Sequence, residues 1–430
     1  MRNYGLERGA MNYKSVLIPA ICFFLTTMIL TWGCGNPTEE HISKGNDYLK
    51  QERFDEATAE YTQAIEINPG SAEAYNNRGK AYDDEGEYGN AILDFTKAIE
   101  LTPELSSMLA VIYCNRGAAY NHQGEYDKAI ADSDKAITLN SNSIDAYNNI
   151  GVAYNQKGEY DKALNACTKA IDLNPYNTGA YVNRAAAYDY LGEYDKAIND
   201  CSRAIELDPS LVEAYNNRGL PYSHKGEYDN AIADYDKAIE LDSDDAKYYI
   251  NRGVAYYRKG EYDKAVVDYT KAIELSPDPA AAYYNRAIVY RERGEYGKAI
   301  ADSYMAIELN PKYAEAYVNR GLAYLDKGEY DNAITDFNKA IELNPTIAEA
   351  YVNRGLANAH KGEFDRAIAD YNKAIELDSG SDWAYLDRGL AYANKGEYDL
   401  AVNDLETVLR ISSDPKVIDM ARRNLDVINR

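Results

Sequence analysis

Residues 314–347 read AEAYVNRGLAYLDKGEYDNAITDFNKAIELNPTI, and a shift of 34 residues in either direction brings nearly the same letters back. The Gly of the GEY-type element recurs at 86, 124, 158, 192, 226, 260, 294, 328, 362 and 396, a constant spacing broken once by a four-residue insertion near Ser106–Leu109. Glu52 takes that slot in a degenerate first copy, QERFDEA. With that one included there are eleven copies, each numbered internally 1 to 34: 38–71, 72–105, 110–143, 144–177, 178–211, 212–245, 246–279, 280–313, 314–347, 348–381 and 382–415. Self-similarity at this period decides the fold class.

Each copy holds two amphipathic helix patterns, positions 2–14 and 17–29, divided by Gly in all but the first and closed by LNP, LDP or a variant of these. Neither helix buries its apolar face alone, so the copies have to stack on one another. Position 8 is Gly or Ala throughout, position 20 is always Ala and position 27 is Ala in ten of eleven copies, which lets helices approach closely. Of the 42 Tyr, 29 occupy positions 4, 11 and 17, so they read as core wall, not as platforms for nucleic-acid bases.

This pattern resembles the tetratricopeptide (TPR) repeat over residues 38–415. The resemblance implies an all-α fold: a right-handed α-solenoid superhelix of about eleven 34-residue helix-turn-helix repeats, with a concave groove lined by the first helix of each. Family members usually carry Leu at position 7, where this chain has Arg. Residues 416–430 form an amphipathic pattern suited to a polar capping helix.

At about 100° per residue, positions 4, 7, 8 and 11 share the inward side of the first helix, while 2, 6, 9 and 13 lie nearly opposite. The Arg of NRG therefore points among the tyrosines. Position 7 is Arg in nine repeats, and in those nine position 23 is Asp, giving structural ion pairs such as Arg78–Asp94, Arg252–Asp268, Arg320–Asp336 and Arg354–Asp370. Repeat 4 has Ile150 with Ala166, and repeat 1 has Lys44 with Glu60. Charge, sign and absence vary together, as expected when breaking a buried pair costs about 3–5 kcal/mol.

The Asn of NRG points the other way. Asn77, Asn115, Asn149, Asn183, Asn217, Asn251, Asn285, Asn319 and Asn353 occupy position 6 in nine consecutive repeats. A side-chain amide offers a donor and an acceptor, matching a peptide backbone, and the array resembles the asparagine ladder with which a TPR superhelix can hold an extended segment. The alternative use is a bond to a neighbouring repeat. Around the ladder the groove turns apolar toward the C-terminus: Ile250, Val254, Tyr284, Ile288, Val318, Leu322, Val352, Leu356, Leu386 and Leu390, ending at Trp383. The alternative is that positions 5 and 9 pack between neighbouring first helices. Pro221 removes a helical hydrogen bond from repeat 6 and predicts a kink there.

The N-terminus is a separate object. Lys14 precedes the apolar run SVLIPAICFFLTTMIL, which ends in TWGCGNP. It resembles a lipoprotein-type export signal over 1–33, with Cys34 the lipidated residue and 34–37 a short tether; Thr31 departs from the usual Leu. An uncleaved membrane anchor and an ordinary cleaved signal are the other readings, and Met11 is a second possible start. Either tether would place the array at the cell envelope.

A net charge of −24 argues against a nucleic-acid partner. His122, His224 and His360 all stand at position 13 but in repeats 3, 6 and 10, too far apart for a shared metal, and there is no phosphate loop or Cys-x-x-Cys pair. No cofactor, metal, small-molecule substrate or catalytic residue is expected. The cochaperone form of the repeat grips a terminal carboxylate with clustered cations, whereas Lys80, Lys247, Arg258 and Arg291 are scattered here. The expectation is a non-catalytic scaffold that binds a protein or extended peptide in its groove. An assembly factor for an envelope complex and a passive or self-associating spacer are the alternatives.

Overall fold

The computed structural model describes residues 36–103 and 107–428. The export segment and the lipidation expected at Cys34 lie outside them, as do the last two residues of the cap. The described residues form 23 helices, from α1 (Pro37–Leu49) to α23 (Pro415–Ile428). Odd-numbered α1–α21 are the first helices of successive repeats and even-numbered α2–α22 the second. Two compact units divide them, the described part of 8–241 and that of 242–430. Within each unit every first helix packs on its own second helix and on the next first helix.

Local chemistry sets the boundaries. Ser71, Asn177 and Ser381 cap first helices by accepting from the N–H three residues on, at 3.2, 2.8 and 3.4 Å. The first helix then stops at a glycine in the left-handed region, φ +78° at Gly328. In repeat 1 Glu52 adopts that conformation at φ 57°, where a side chain is strained. Between repeats, the Asn or Asp of the LNP and LDP elements closes a turn on its own backbone: Asn344 Oδ1 accepts from Thr346 N at 3.1 Å and Asp208 Oδ1 from Ser210 N at 2.9 Å.

Packing inside a repeat centres on positions 8 and 24. A Cβ on Gly321 would stand 2.7 Å from the Phe337 ring, and one on Gly355 2.7 Å from Tyr371. Where position 8 is Ala, at Ala185 and Ala287, position 24 shrinks to Cys201 and Ser303. The invariant Ala at position 20 is fully buried in every repeat.

Four local details stand beside the sequence reading. Asn36 caps α1 and Pro37 is its first residue, so the helix begins inside the 34–37 stretch. The insertion before repeat 3 extends its first helix, α5 (Ser107–Gln123), to 17 residues. Helix α11 (Val212–His224) runs unbroken through Pro221. In repeat 1 Glu60 meets His41 at 2.7 Å instead of Lys44, which bonds Glu40 at 2.7 Å one turn away on its own helix. The cap α23 buries Val417 and Ala421 against Leu386, Leu405 and Val408 of repeat 11.

Candidate partner-binding surface

The nine Arg–Asp pairs are all formed, each within one repeat. Arg320 Nε and Nη2 donate to the two oxygens of Asp336 at 2.8 and 2.7 Å, and Arg78, Arg252 and Arg354 reach Asp94, Asp268 and Asp370 at their closest at 2.7, 2.7 and 2.5 Å. With side chains only 15% and 6% exposed at Arg320 and Asp336, the fork is part of the wall. The third nitrogen of the fork goes elsewhere. Arg78, Arg116, Arg184, Arg218 and Arg286 donate through Nη1 to a hydroxyl at position 25 of the preceding repeat (Thr62, Thr96, Thr168, Ser202, Thr270) at 2.8–3.3 Å. Arg354 and Arg388 use Asn338 and Asn372 there, at 2.6 and 2.5 Å. One guanidinium thus closes its own repeat and ties it to the one before. The sequence showed this only as a run of small polar residues on an otherwise solvent-facing position.

Position 6 lies at the seam with the preceding repeat. Nδ2 of Asn77 donates to Asn46 Oδ1 at 3.1 Å, that of Asn115 to Asn76 Oδ1 at 3.0 Å, that of Asn149 to Cys114 O at 3.0 Å and that of Asn183 to Asn148 Oδ1 at 2.7 Å. Asn319 donates to Ser303 Oγ at 3.0 Å, and Asn353 to the Glu349 carbonyl on its own helix at 2.9 Å. Six of the nine amides therefore spend Nδ2 inside the array. Asn217 is buried with Nδ2 unpartnered, its Oδ1 accepting from Asn216 at 3.1 Å. Asn251 and Asn285 are half-buried.

The apolar positions divide in two. Val318 and Leu322 are buried in a cluster with Ala350 and Ala357 of the next first helix, and Val352 packs likewise on Ala384 and Ala391. Tyr284 and Ile288 join Tyr313 and Ala316, and Leu386 is covered by the cap. Ile250, Val254, Leu356, Leu390 and Trp383 stay half-buried, so the accessible apolar strip is narrower than the sequence suggested. An isolated helix gives the direction of a side chain but not the width of its neighbour, and position 5 falls under that neighbour.

What remains open on the first helices is positions 2 and 13, with part of position 9. In repeats 2–4 these carry Glu73, Asp84 and Asp145 around Lys80. The three carboxyls reach solvent yet are ringed by protein, and this partial burial raises each above its usual carboxylate value; Glu39 adds to the rise at Glu73 and Lys80 opposes it at Asp145. Cations do not gather: Lys247 pairs with Asp245 at 2.6 Å, and Arg291 with Glu292 at 3.1 Å. Among the described residues no three His, Cys, Asp or Glu side chains converge as a metal site, and no helix is long and apolar enough to cross a membrane.

Sequence profiles of known families recover the same repeats. Tetratricopeptide repeat profiles match residues 72–105, 144–177, 179–211, 246–279, 268–301, 318–382 and 384–415, and TPR repeat profiles match 45–84, 117–158, 222–260 and 289–328. The chain belongs to the tetratricopeptide repeat family. The repeats of this family generally serve as protein-interaction scaffolds without catalysis. Among curated proteins it is similar to Hsp70-Hsp90 organizing protein 1 of Glycine max, 48% identical over 44 residues, and of Arabidopsis thaliana, 43% identical over 44 residues. Those matches cover 10% of this TPR chain and only 8% of either relative's length. Among solved structures, the APC/C hetero-tetramer Cut9-Hcn1 is 16% identical with a TM-score of 0.50, covering 90% of this chain and 96% of that one. Yeast Tom70 is 19% identical with a TM-score of 0.48, covering 90% and 95%. The first of these likenesses is one of fold alone, and the second supports nothing further.

Proposed function

We propose that this TPR array is a protein-interaction scaffold of the cell envelope, held at the membrane through Cys34 or the apolar segment before it, and that it takes an extended peptide or protein surface on its first helices. The observation that carries the reading is the strip at positions 2, 9 and 13 that stacking leaves accessible. Acidic side chains line it in repeats 2–4, and Val254, Leu356, Leu390 and Trp383 remain half-open in repeats 7–11. Backbone contact through the Asn ladder belongs to the same reading, but it has to use Oδ1 atoms or displace the seam bonds wherever Nδ2 is already engaged. The Arg–Asp pairs take no part in partner contact, being spent within and between repeats.

The test is cross-linked capture from the native envelope with wild type and with Glu73→Lys/Asp84→Lys/Asp145→Lys, after circular dichroism shows both folded alike. A defined partner captured by wild type and lost from the variant supports contact through the strip at positions 2, 9 and 13 of the first helices. Equal capture by both moves the contact to the second helices and overturns it. For the tether, wild type fed an alkyne-labelled fatty acid is expected to carry the label and Cys34→Ala to lack it. An unlabelled wild type sinks the lipid anchor.

A further inference from the structure

Successive first helices in the unit of repeats 1–6 are joined by side-chain links of two chemical kinds. Between repeats 3 and 4, and between 4 and 5, the links are amides. Asn121 and Asn155 at position 12 donate to the carbonyls of Asn149 and Asn183 at 2.9 and 2.8 Å. Nδ2 of Asn149 and Asn183 donates back, to Cys114 O at 3.0 Å and Asn148 Oδ1 at 2.7 Å. None of these groups changes charge with pH.

The junction of repeats 5 and 6 has neither link. Val182 at position 5 of repeat 5 offers no side-chain amide such as Asn148 supplies, and Asn217 Nδ2 stays buried without an acceptor. Position 12 is Asp189, whose carboxylate has no hydrogen to give the Asn217 carbonyl, and Pro221 has no N–H to serve as that carbonyl's helical donor. In their place Asp189 Oδ1, on a side chain 4% exposed, meets His224 Nδ1 at 2.9 Å. Three departures from the repeat therefore fall on one seam, and a titratable contact stands where its neighbours have amides. Repeats 2 and 3 carry a similar contact, His122–Asp83 at 2.9 Å, but keep the amide bond from Asn115 to Asn76 at 3.0 Å beside it.

We infer that the seam between repeats 5 and 6 is a pH-sensitive joint, closed by the His224–Asp189 contact while the imidazole is protonated and loosened when it is not. The surroundings leave His224 as the group that decides. Asp189 also faces the Cys201 thiol and the Tyr235 hydroxyl, and burial pushes both far up, so they stay neutral. The Tyr194 ring packs on the imidazole with centroids 5.5 Å apart. Lys225 is committed to Asp195 and Glu227, both at 2.8 Å. The hydrogen bond to Asp189 raises His224 above its ordinary value against the opposing pull of burial. A raised imidazole contributes its full stabilisation below about pH 6.5 and loses it as pH climbs through the raised value. The seam's apolar contacts, Val182 with Ala204, Leu211 and Ala214, and the Arg218–Ser202 bond at 3.0 Å do not titrate, so the joint loosens without separating.

Hydrogen exchange of the full chain at about pH 5.5 and about pH 8.5, either side of the imidazole range and corrected for intrinsic rates, reads this directly. Peptides from α9 (Thr178–Tyr190) and α11 are expected to lose protection several-fold at the higher pH, while those from α5 and α7 (Ile144–Lys157) keep theirs. His224→Gln is expected to abolish the difference. Val182→Asn, which installs the residue that repeats 2, 4 and 6 already carry at position 5, supplies an acceptor for Asn217 and is expected to restore protection at high pH. An equal pH response at both seams, or a wild-type response in His224→Gln, overturns the joint. Should His224→Gln not fold, Val182→Asn decides alone: no gain at high pH overturns it too.

Discussion

At the scale of single residues, the array is tuned by size at one contact repeated eleven times. Position 8 of the first helix abuts position 24 of the second, and Gly is what allows Tyr61, Phe95, Tyr235, Tyr269, Phe337 and Tyr371 to lie across the helix. Gly321→Ala is therefore expected to destabilise the protein by about 1–3 kcal/mol through overpacking, even though Ala is the better helix former. In a Phe337→Ser background, which copies the Ala287–Ser303 pair of repeat 8, the same substitution should cost nothing or stabilise slightly. Urea unfolding of the four chains measures this. Equal effects of Gly321→Ala in both backgrounds would show that the ring is not what requires the glycine. The rule is legible in the sequence, because position 24 is aromatic only beside Gly, yet it takes the 2.7 Å approach to say why.

At the scale of helices and repeats, the Arg–Asp fork closes nine of the eleven repeats, and in the seven that hold Arg78, Arg116, Arg184, Arg218, Arg286, Arg354 and Arg388 its third nitrogen ties the repeat to its predecessor. Arg320→Leu and Asp336→Ala are each expected to cost about 3–5 kcal/mol, since either leaves a buried charge alone, and the double variant far less than their sum. Strict additivity in denaturant unfolding would remove the pairing as the explanation. Repeat 4, with Ile150 and Ala166, shows that the fold tolerates joint loss. The pairing could be read from letters because both partners change together. Other parts could not. Lys44 and Glu60 conserve the signs of the pair, but His41 lies nearer Glu60 and takes it. Position 25 varies among Thr, Ser, Asn, Asp, Tyr and Glu, so its hydrogen-bonding role across the seam left no single letter to follow. Positions 5 and 6 point away from their own repeat, as the helical period says, but what they meet is the adjoining repeat. The candidate surface contracts to positions 2, 9 and 13 for that reason.

At the scale of the molecule, a stack of identical units has the same apolar face available at its end as at every seam, and something has to cover it. Helix α23 does so at repeat 11: Val417 and Ala421 turn inward onto Leu386, Leu405 and Val408, while Lys416, Asp419, Arg422, Arg423 and Asp426 face solvent. A chain ending at residue 414 would uncover those apolar side chains, each worth roughly 1.5–3 kcal/mol of burial. In a nearest-neighbour array the loss stays local. Hydrogen exchange of the truncated chain is expected to show α21 (Asp382–Lys395) and α22 (Tyr398–Ile411) deprotected, with α13 (Ala246–Lys259) and α14 (Tyr262–Leu275) unchanged, and light scattering to show self-association through the bared face. Deprotection spread evenly over repeats 7–11 would mean that this unit unfolds as one cooperative body and that the seams, not the repeats, carry its stability. An unchanged exchange pattern would mean that α23 covers nothing of consequence. The local outcome follows from the seam chemistry itself, because each repeat's bonds reach only to the next.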